Sequence, residues 1–174
     1  EDGDKPAIGM TEPSAGTDLA SLRTTASKRN GTYILNGVKH WITGGGISKT
    51  NLIFARLLDQ EGNDQGIGGI LVDLGTPGFT VGRVEAAMGL RGIPEAELIF
   101  NECVVPAANV VLRDPKDGFK KLMNGYNAQR IGASAVALGI AQGAHDLAID
   151  YMCQREAFGK KLKDFQGLEW IIAQ

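Results

Sequence analysis

Met10-Thr11-Glu12-Pro13-Ser14-Ala15-Gly16-Thr17-Asp18 joins hydroxyls, a proline, small residues and carboxylates in one short run. Pro13 fixes its own φ and pushes Glu12 toward extended geometry. Ser14, Ala15 and Gly16 leave little bulk beside the backbone, so a flat or anionic ligand can approach exposed N–H groups. Thr11, Ser14 and Thr17 add hydroxyls that both donate and accept. Taken alone, the run is a polar turn fit for a ligand or, equally, a plain surface turn.

Around it, residues 1 to about 112 carry a β pattern. Residues 22–28, 33–36 and 39–43 are strand-like. Arg29-Asn30-Gly31 and Asn36-Gly37 supply the turns between them, Asn-Gly being a strong short hairpin signal. Residues 52–58 and 69–74 are apolar runs of strand length, and the polar residues 59–66 separate them as a loop. Strands over 79–84 and 96–100 follow, with turns at Gly75-Thr76-Pro77-Gly78 and Gly92-Ile93-Pro94. Short strands at such spacing predict an antiparallel sandwich or barrel.

The period changes near Asp114-Pro115. Residues 118–126 are helical in pattern, and Asn124 or Asn127 can cap a second helix over 128 to about 154. Gly132, Ala133, Ala137, Gly139, Ala141, Gly143 and Ala144 let another helix approach closely, which predicts a bundle. A further helix begins after Asp164. The fold class is therefore α+β: a β domain over 1–113, then the first helices of an α-helical bundle over 114–174. The chain opens on Glu1-Asp2-Gly3-Asp4 and stops inside the apolar helical pattern Leu168-Glu169-Trp170-Ile171-Ile172-Ala173, as expected of a piece of a larger protein.

Composition narrows the function. A net charge of −2 argues against nucleic acid and other polyelectrolyte partners. Cys103 and Cys153 make neither a disulfide framework nor a metal spacing. The longest apolar run, 133–141, is too short to span a bilayer. Asn30-Gly31-Thr32 matches a glycosylation sequon inside a hairpin turn, with nothing else pointing to secretion.

Three further stretches can carry chemistry. In Lys39-His40-Trp41-Ile42-Thr43, alternation puts Trp41 and Thr43 on one face and Ile42 on the other. A tryptophan beside a hydroxyl suits a flat ring with polar edge atoms, although Trp41 alone is more simply a core residue. His40 has no visible partner and is not assigned a catalytic role. Gly44-Gly45-Gly46 lacks the spacing of a phosphate cradle and is expected to be a flexible turn. Asn127-Ala128-Gln129-Arg130 opens the long helix. In Arg155-Glu156-Ala157-Phe158-Gly159 with Gln166, an arginine, an aromatic and an amide can hold a pyrophosphate and a ring, or form an ordinary helix-turn-helix packing motif.

In this order the opening run, Asn36-Gly37-Val38-Lys39-His40-Trp41-Ile42-Thr43-Gly44, and Arg155-Glu156-Ala157-Phe158-Gly159-Lys160-Lys161-Leu162 with Phe165-Gln166 resemble the acyl-CoA dehydrogenase family of flavoproteins. The resemblance runs from about Ile8 to the C-terminus. It implies that Ile8, Met10, Thr11, Gly16, Thr17, Trp41 and Thr43 line FAD. It implies that Arg155, Phe158 and Gln166 contact the FAD of a neighbouring subunit, hence a homo-oligomer, a dimer of dimers. Thr17, Asn127 and Arg130 would meet the CoA thioester. Asn127 replaces an acidic residue common at its position.

Gln129 stands where the branch resembling isovaleryl-CoA dehydrogenase has its catalytic glutamate. A neutral amide is no base near neutral pH. Either the base lies after Gln174 or the usual base is missing, and no catalytic residue is assigned within the chain. The implied activity is α,β-dehydrogenation of an acyl-CoA in fatty acid metabolism, with electrons passed to an electron-transfer flavoprotein. The compartment would be a bacterial cytoplasm or a mitochondrial matrix, and no metal is implied. Relatives that keep the fold with other chemistry include acyl-CoA oxidases, enoyl-CoA reductases and sulfinopropanoyl-CoA desulfinases. A non-enzymatic β-sandwich module with a helical tail is the remaining alternative.

Overall fold

The structure, a computed structural model, describes residues 5–112, 114 and 117–173. It divides into two compact units between Asn124 and Gly125. The charged opening at Glu1 to Asp4 lies outside the described residues, as do Pro115 at the expected change of period and Gln174.

The first unit holds β1 (Ala7–Gly9), β2 (Thr25–Arg29), β3 (Thr32–Thr43), β4 (Thr50–Leu58), β5 (Asp64–Asp73), β6 (Phe79–Val84), β7 (Glu95–Pro106) and β8 (Val110–Leu112). They form one mixed sheet in the order β6-β7-β3-β2-β4-β5-β8. β1 and β2 both pair parallel with β4, at Asn51 to Ile53 and Arg56 to Leu58, while β5 covers the other edge of β4 antiparallel. The chain thus leaves the edge of β4 at Met10 and returns to it at Thr25. Local patterning gives strands but not their direction, so these two parallel pairings were not visible in it.

Ile53, Phe54 and Ala55 are buried in succession, so β4 is covered on both faces. On the neighbouring β5, Leu122 from the start of α1 (Gly118–Gln154) packs over Gly69, where an added Cβ would lie 3.1 Å from the leucine methyl. The core gathers Tyr33 and Leu35 of β3, Ile70 and Val72 of β5, and Leu98, Phe100 and Cys103 of β7.

Two expected breaks in the chain are absent. The true hairpin turn is Asn30-Gly31, with φ of 44° and 81° joining β2 to β3. Asn36-Gly37 is no turn but a bulge inside the continuous β3, opposite β7. Gly37 is required there because its φ is 147° and a Cβ would meet Thr24 Oγ1 at 2.4 Å. The Asn36 side chain serves the bulge instead, accepting from the Glu102 amide at 2.8 Å. Likewise α1 runs through Asn124 and Asn127 without a cap, because their local preference is outweighed by the long alanine-rich propagation on either side.

In the second unit α1 is followed by a small hairpin, β9 (Glu156–Ala157) and β10 (Lys160–Lys161), and by α2 (Gln166–Ala173). The turn expected at Phe158-Gly159 is there, with φ of 52° and 77°, but it closes a β-hairpin and not the alternative helix-turn-helix. No helix among the described residues is long and apolar enough to cross a membrane.

Candidate functional site

The excursion from Met10 to Thr24 is anchored by one buried carboxylate. Glu12 accepts from the Arg23 amide at 2.6 Å and the Thr24 amide at 2.9 Å, and it pairs with Lys39 at 2.8 Å. Lys39 is fully buried and also donates to the Met10 carbonyl at 3.0 Å. Burial raises the Glu12 carboxyl, but the ammonium and the amides outweigh it and hold its pKa below the ordinary carboxylate value. Burial pushes the Lys39 ammonium down, with Glu12 pulling it back. Thr11 is tied to β3 through its carbonyl, which accepts from the His40 amide at 2.9 Å. The result is a fixed ledge, Met10-Thr11, against the end of β3.

At that end a second bulge separates Lys39 from Ile42 in the pairing with β7. Lys39 and Ile42 both point inward, three residues apart instead of two. The extra residue is absorbed at Trp41, whose φ is +61°. A bulky side chain in the left-handed region is strained, and bulges commonly re-aim side chains near active sites. Here the bulge turns the indole outward: it is 54% exposed, against the core placement its apolar ring suggests. Trp41 and Thr43 do share the outer face, by virtue of the bulge and not of simple alternation. The Thr43 hydroxyl donates to Glu95 at 2.9 Å.

His40, expected to be unpaired, stacks on Trp41 and lies 2.8 Å from Glu85. Glu85 belongs to a segment forty-five residues downstream. Only the tertiary pairing of β3, β7 and β6 brings the two together, so no local pattern announces it. The Gly44–Gly46 stretch is an ordered turn: Gly45 is buried against Ala96, and Gly44 accepts from the Ser48 amide at 3.0 Å.

Hydrogen bonds tie Met10 and Thr11 to Lys39 and His40 of β3, just ahead of Trp41 and Thr43 in sequence, while Ile8 pairs with Leu52 of β4. Gly16 and Thr17 sit on the exposed part of the excursion. In the second unit Asn127, Gln129 and Arg130 are exposed on α1. Arg155, Phe158 and Gln166 cluster around the β9–β10 hairpin at the far end of that helix, about 36 Å away at 1.5 Å per residue. Phe158 is 97% exposed at the hairpin tip. Beside it an apolar groove of about 510 Å³ is lined by Ala157, Leu162, Phe165, Leu168 and Ile171. Lys160 Nζ lies 4.1 Å from the centre of the Phe165 ring.

Residues 7–103 match the acyl-CoA dehydrogenase middle domain, and residues 116–174 match the C-terminal domain of the same enzymes. The chain belongs to the acyl-CoA dehydrogenase family. It is 51% identical to 3-sulfinopropanoyl-CoA desulfinase of Paraburkholderia xenovorans, over 98% of this chain and 44% of that protein. It is 44% identical to acryloyl-CoA reductase (NADH) of Anaerotignum propionicum, over 98% of this chain and 43% of that protein. Butyryl-CoA dehydrogenase of Megasphaera elsdenii superposes with a TM-score of 0.87 at 41% identity, over 97% of this chain and 44% of that one. The chain thus spans under half the length of these acyl-CoA dehydrogenase relatives. The outer face at the end of β3 fits a flavin: an open indole face, a threonine hydroxyl beside it and a rigid backbone ledge suit a flat ring with polar edge atoms.

Proposed function

We propose that the chain forms one wall of a site for FAD and an acyl-CoA thioester. We further propose that its enzyme dehydrogenates the thioester between the α- and β-carbons and passes electrons to an electron-transfer flavoprotein. Trp41 carries the reading. Its backbone is strained and its ring is exposed, so the conformation brings no burial in return, and strain of this kind concentrates at functional sites.

When bound, FAD accepts the hydride that leaves the β-carbon. Toward it the chain offers Ile8, Met10, Thr11, Gly16 and Thr17 from the excursion and Trp41 and Thr43 from β3. Because the Thr43 hydroxyl proton is directed at Glu95, its oxygen is left to accept from an N–H on a ring edge. Thr17, Asn127 and Arg130 are assigned to the CoA arm, the guanidinium suiting a phosphate. Arg155, Phe158 and Gln166 are assigned to the FAD of a neighbouring subunit in a dimer of dimers. No residue is assigned the α-proton, since Gln129 is a neutral amide. The functional boundary between the two domains is placed at 113/114. The bacterial relatives favour the cytoplasm over the mitochondrial matrix.

A second reading is desulfination of 3-sulfinopropanoyl-CoA, favoured by the 51% identity to a desulfinase and by Gln129. The experiment mixes the full-length protein anaerobically with butyryl-CoA and, separately, with 3-sulfinopropanoyl-CoA. Bleaching of the flavin by butyryl-CoA supports dehydrogenation. Sulfite release with the flavin left oxidised supports desulfination. A protein that purifies without flavin and does neither refutes both.

A further inference from the structure

The flavin reading leaves His40 without a role. Its ring lies 4.4 Å from that of Trp41, centroid to centroid, with the planes 12° apart. The imidazole is clamped. Its backbone is bonded to the Thr11 carbonyl at 2.9 Å, and its Nε2 is 2.8 Å from Glu85. Glu85 is held in turn by Arg83 Nε at 2.7 Å, and the Arg83 amide lies 3.5 Å from Glu97 on the neighbouring β7. The charged groups around His40 are thus Glu85 and Arg83 from the β6 side and Glu97 from β7. Among the described residues His40 is the one ring stacked on Trp41, so one indole face is covered and the other is open.

We infer that His40, clamped by Glu85, is a positioning residue: it sets the plane of Trp41 and so defines the open face presented to a flat aromatic ligand. An exposed indole on a strained strand end would otherwise sample several rotamers, and fixing it beforehand removes that ordering cost from binding. The inference rests on the reading that Trp41 lines the flavin.

The test uses the full-length protein. The near-ultraviolet circular dichroism of Trp41 is taken, after flavin removal, as the difference between the protein and its Trp41→Phe variant. An indole held in one orientation gives a resolved band, and one that samples several rotamers gives a weak one. His40→Ala should lower the band by about half or more, and His40→Phe, which keeps a flat ring on the indole, should largely retain it. FAD titration of the apoprotein supplies the second readout. His40→Ala should weaken binding about three- to tenfold, and His40→Phe, which keeps a flat ring, by no more than about twofold.

A Trp41 band that His40→Ala leaves unchanged, or that His40→Phe loses as fully as His40→Ala does, overturns the inference. So does FAD affinity that Trp41→Ala lowers and His40→Ala leaves alone, in which case the flavin wall itself stands. FAD affinity indifferent to both alanine variants refutes the flavin wall, whatever the dichroism shows.

Discussion

Lys39→Met removes the buried ammonium while keeping an unbranched side chain of similar length. Glu12 then remains buried with two amide donors, at 2.6 and 2.9 Å, and no counter-charge. It can stay ionised and unpaired, or take up a proton. From the ordinary value of 4.5, protonation at pH 7 costs roughly 3.4 kcal/mol, which limits the penalty of the stranded charge. The lost bond to the Met10 carbonyl adds about 1 kcal/mol. The expected loss at pH 7 is therefore about 3–5 kcal/mol, the usual range for breaking one side of a buried pair. At pH 5 protonation costs roughly 0.7 kcal/mol, so the penalty should shrink to about 2 kcal/mol. Urea unfolding midpoints of parent and variant, measured at both pH values with the slopes compared, give the two differences. A penalty below about 1 kcal/mol at pH 7, or one unchanged between the two pH values, would refute the claim that Glu12 is held as an anion by Lys39.

The same pair sets an acid limit. The folded pKa of Glu12 lies below 4.5, so its contribution is complete above that pH and is lost as pH falls through the folded value. Glu12→Gln should therefore be less stable at neutral pH but lose less on acidification, as followed by circular dichroism. Gly37→Ala places a methyl 2.4 Å from Thr24 Oγ1 and 2.8 Å from the Thr24 backbone, and should destabilise by about 2–4 kcal/mol in urea unfolding. Phe158→Gly removes an exposed aromatic from a left-handed turn position. Thermal stability should change by less than about 1 kcal/mol while FAD retention across a gel-filtration column falls. Loss of folding with no separate effect on FAD would contradict the role given to Phe158.

Most of the strands and both helices were legible because they depend on local periodicity. The errors came where a residue's local preference met a tertiary requirement. Asn36-Gly37 has the chemistry of a hairpin turn, yet the glycine is used for close approach to Thr24 and the asparagine for the Glu102 amide. His40 looked unpartnered because Glu85 reaches it only through the order β6-β7-β3. Glu12 was visible as part of a polar run, but its partners Arg23, Thr24 and Lys39 follow from where β1 and β2 meet the edge of β4.

Strain gives an argument about the site that stands apart from the sequence motifs. The non-glycine residues at positive φ are Asn30, Trp41, Leu90, Glu102 and Phe158 among those described. Asn30 needs no explanation, since asparagine tolerates that region in a hairpin turn. Glu102 faces the Gly37 bulge and is bonded to Asn36, so its conformation has an internal partner. Trp41 and Phe158 differ: each is a large aromatic, each is mostly exposed, and glycine or asparagine would hold either position at lower cost. Leu90 shares the exposure but has no aromatic face. Of the strained positions, then, the two whose side chains can stack on a flat ring are those assigned to flavin contacts from motif resemblance. Backbone strain thus supports the proposal at two of the ten residues that motif resemblance assigns to the flavin, and it is independent of the motifs themselves.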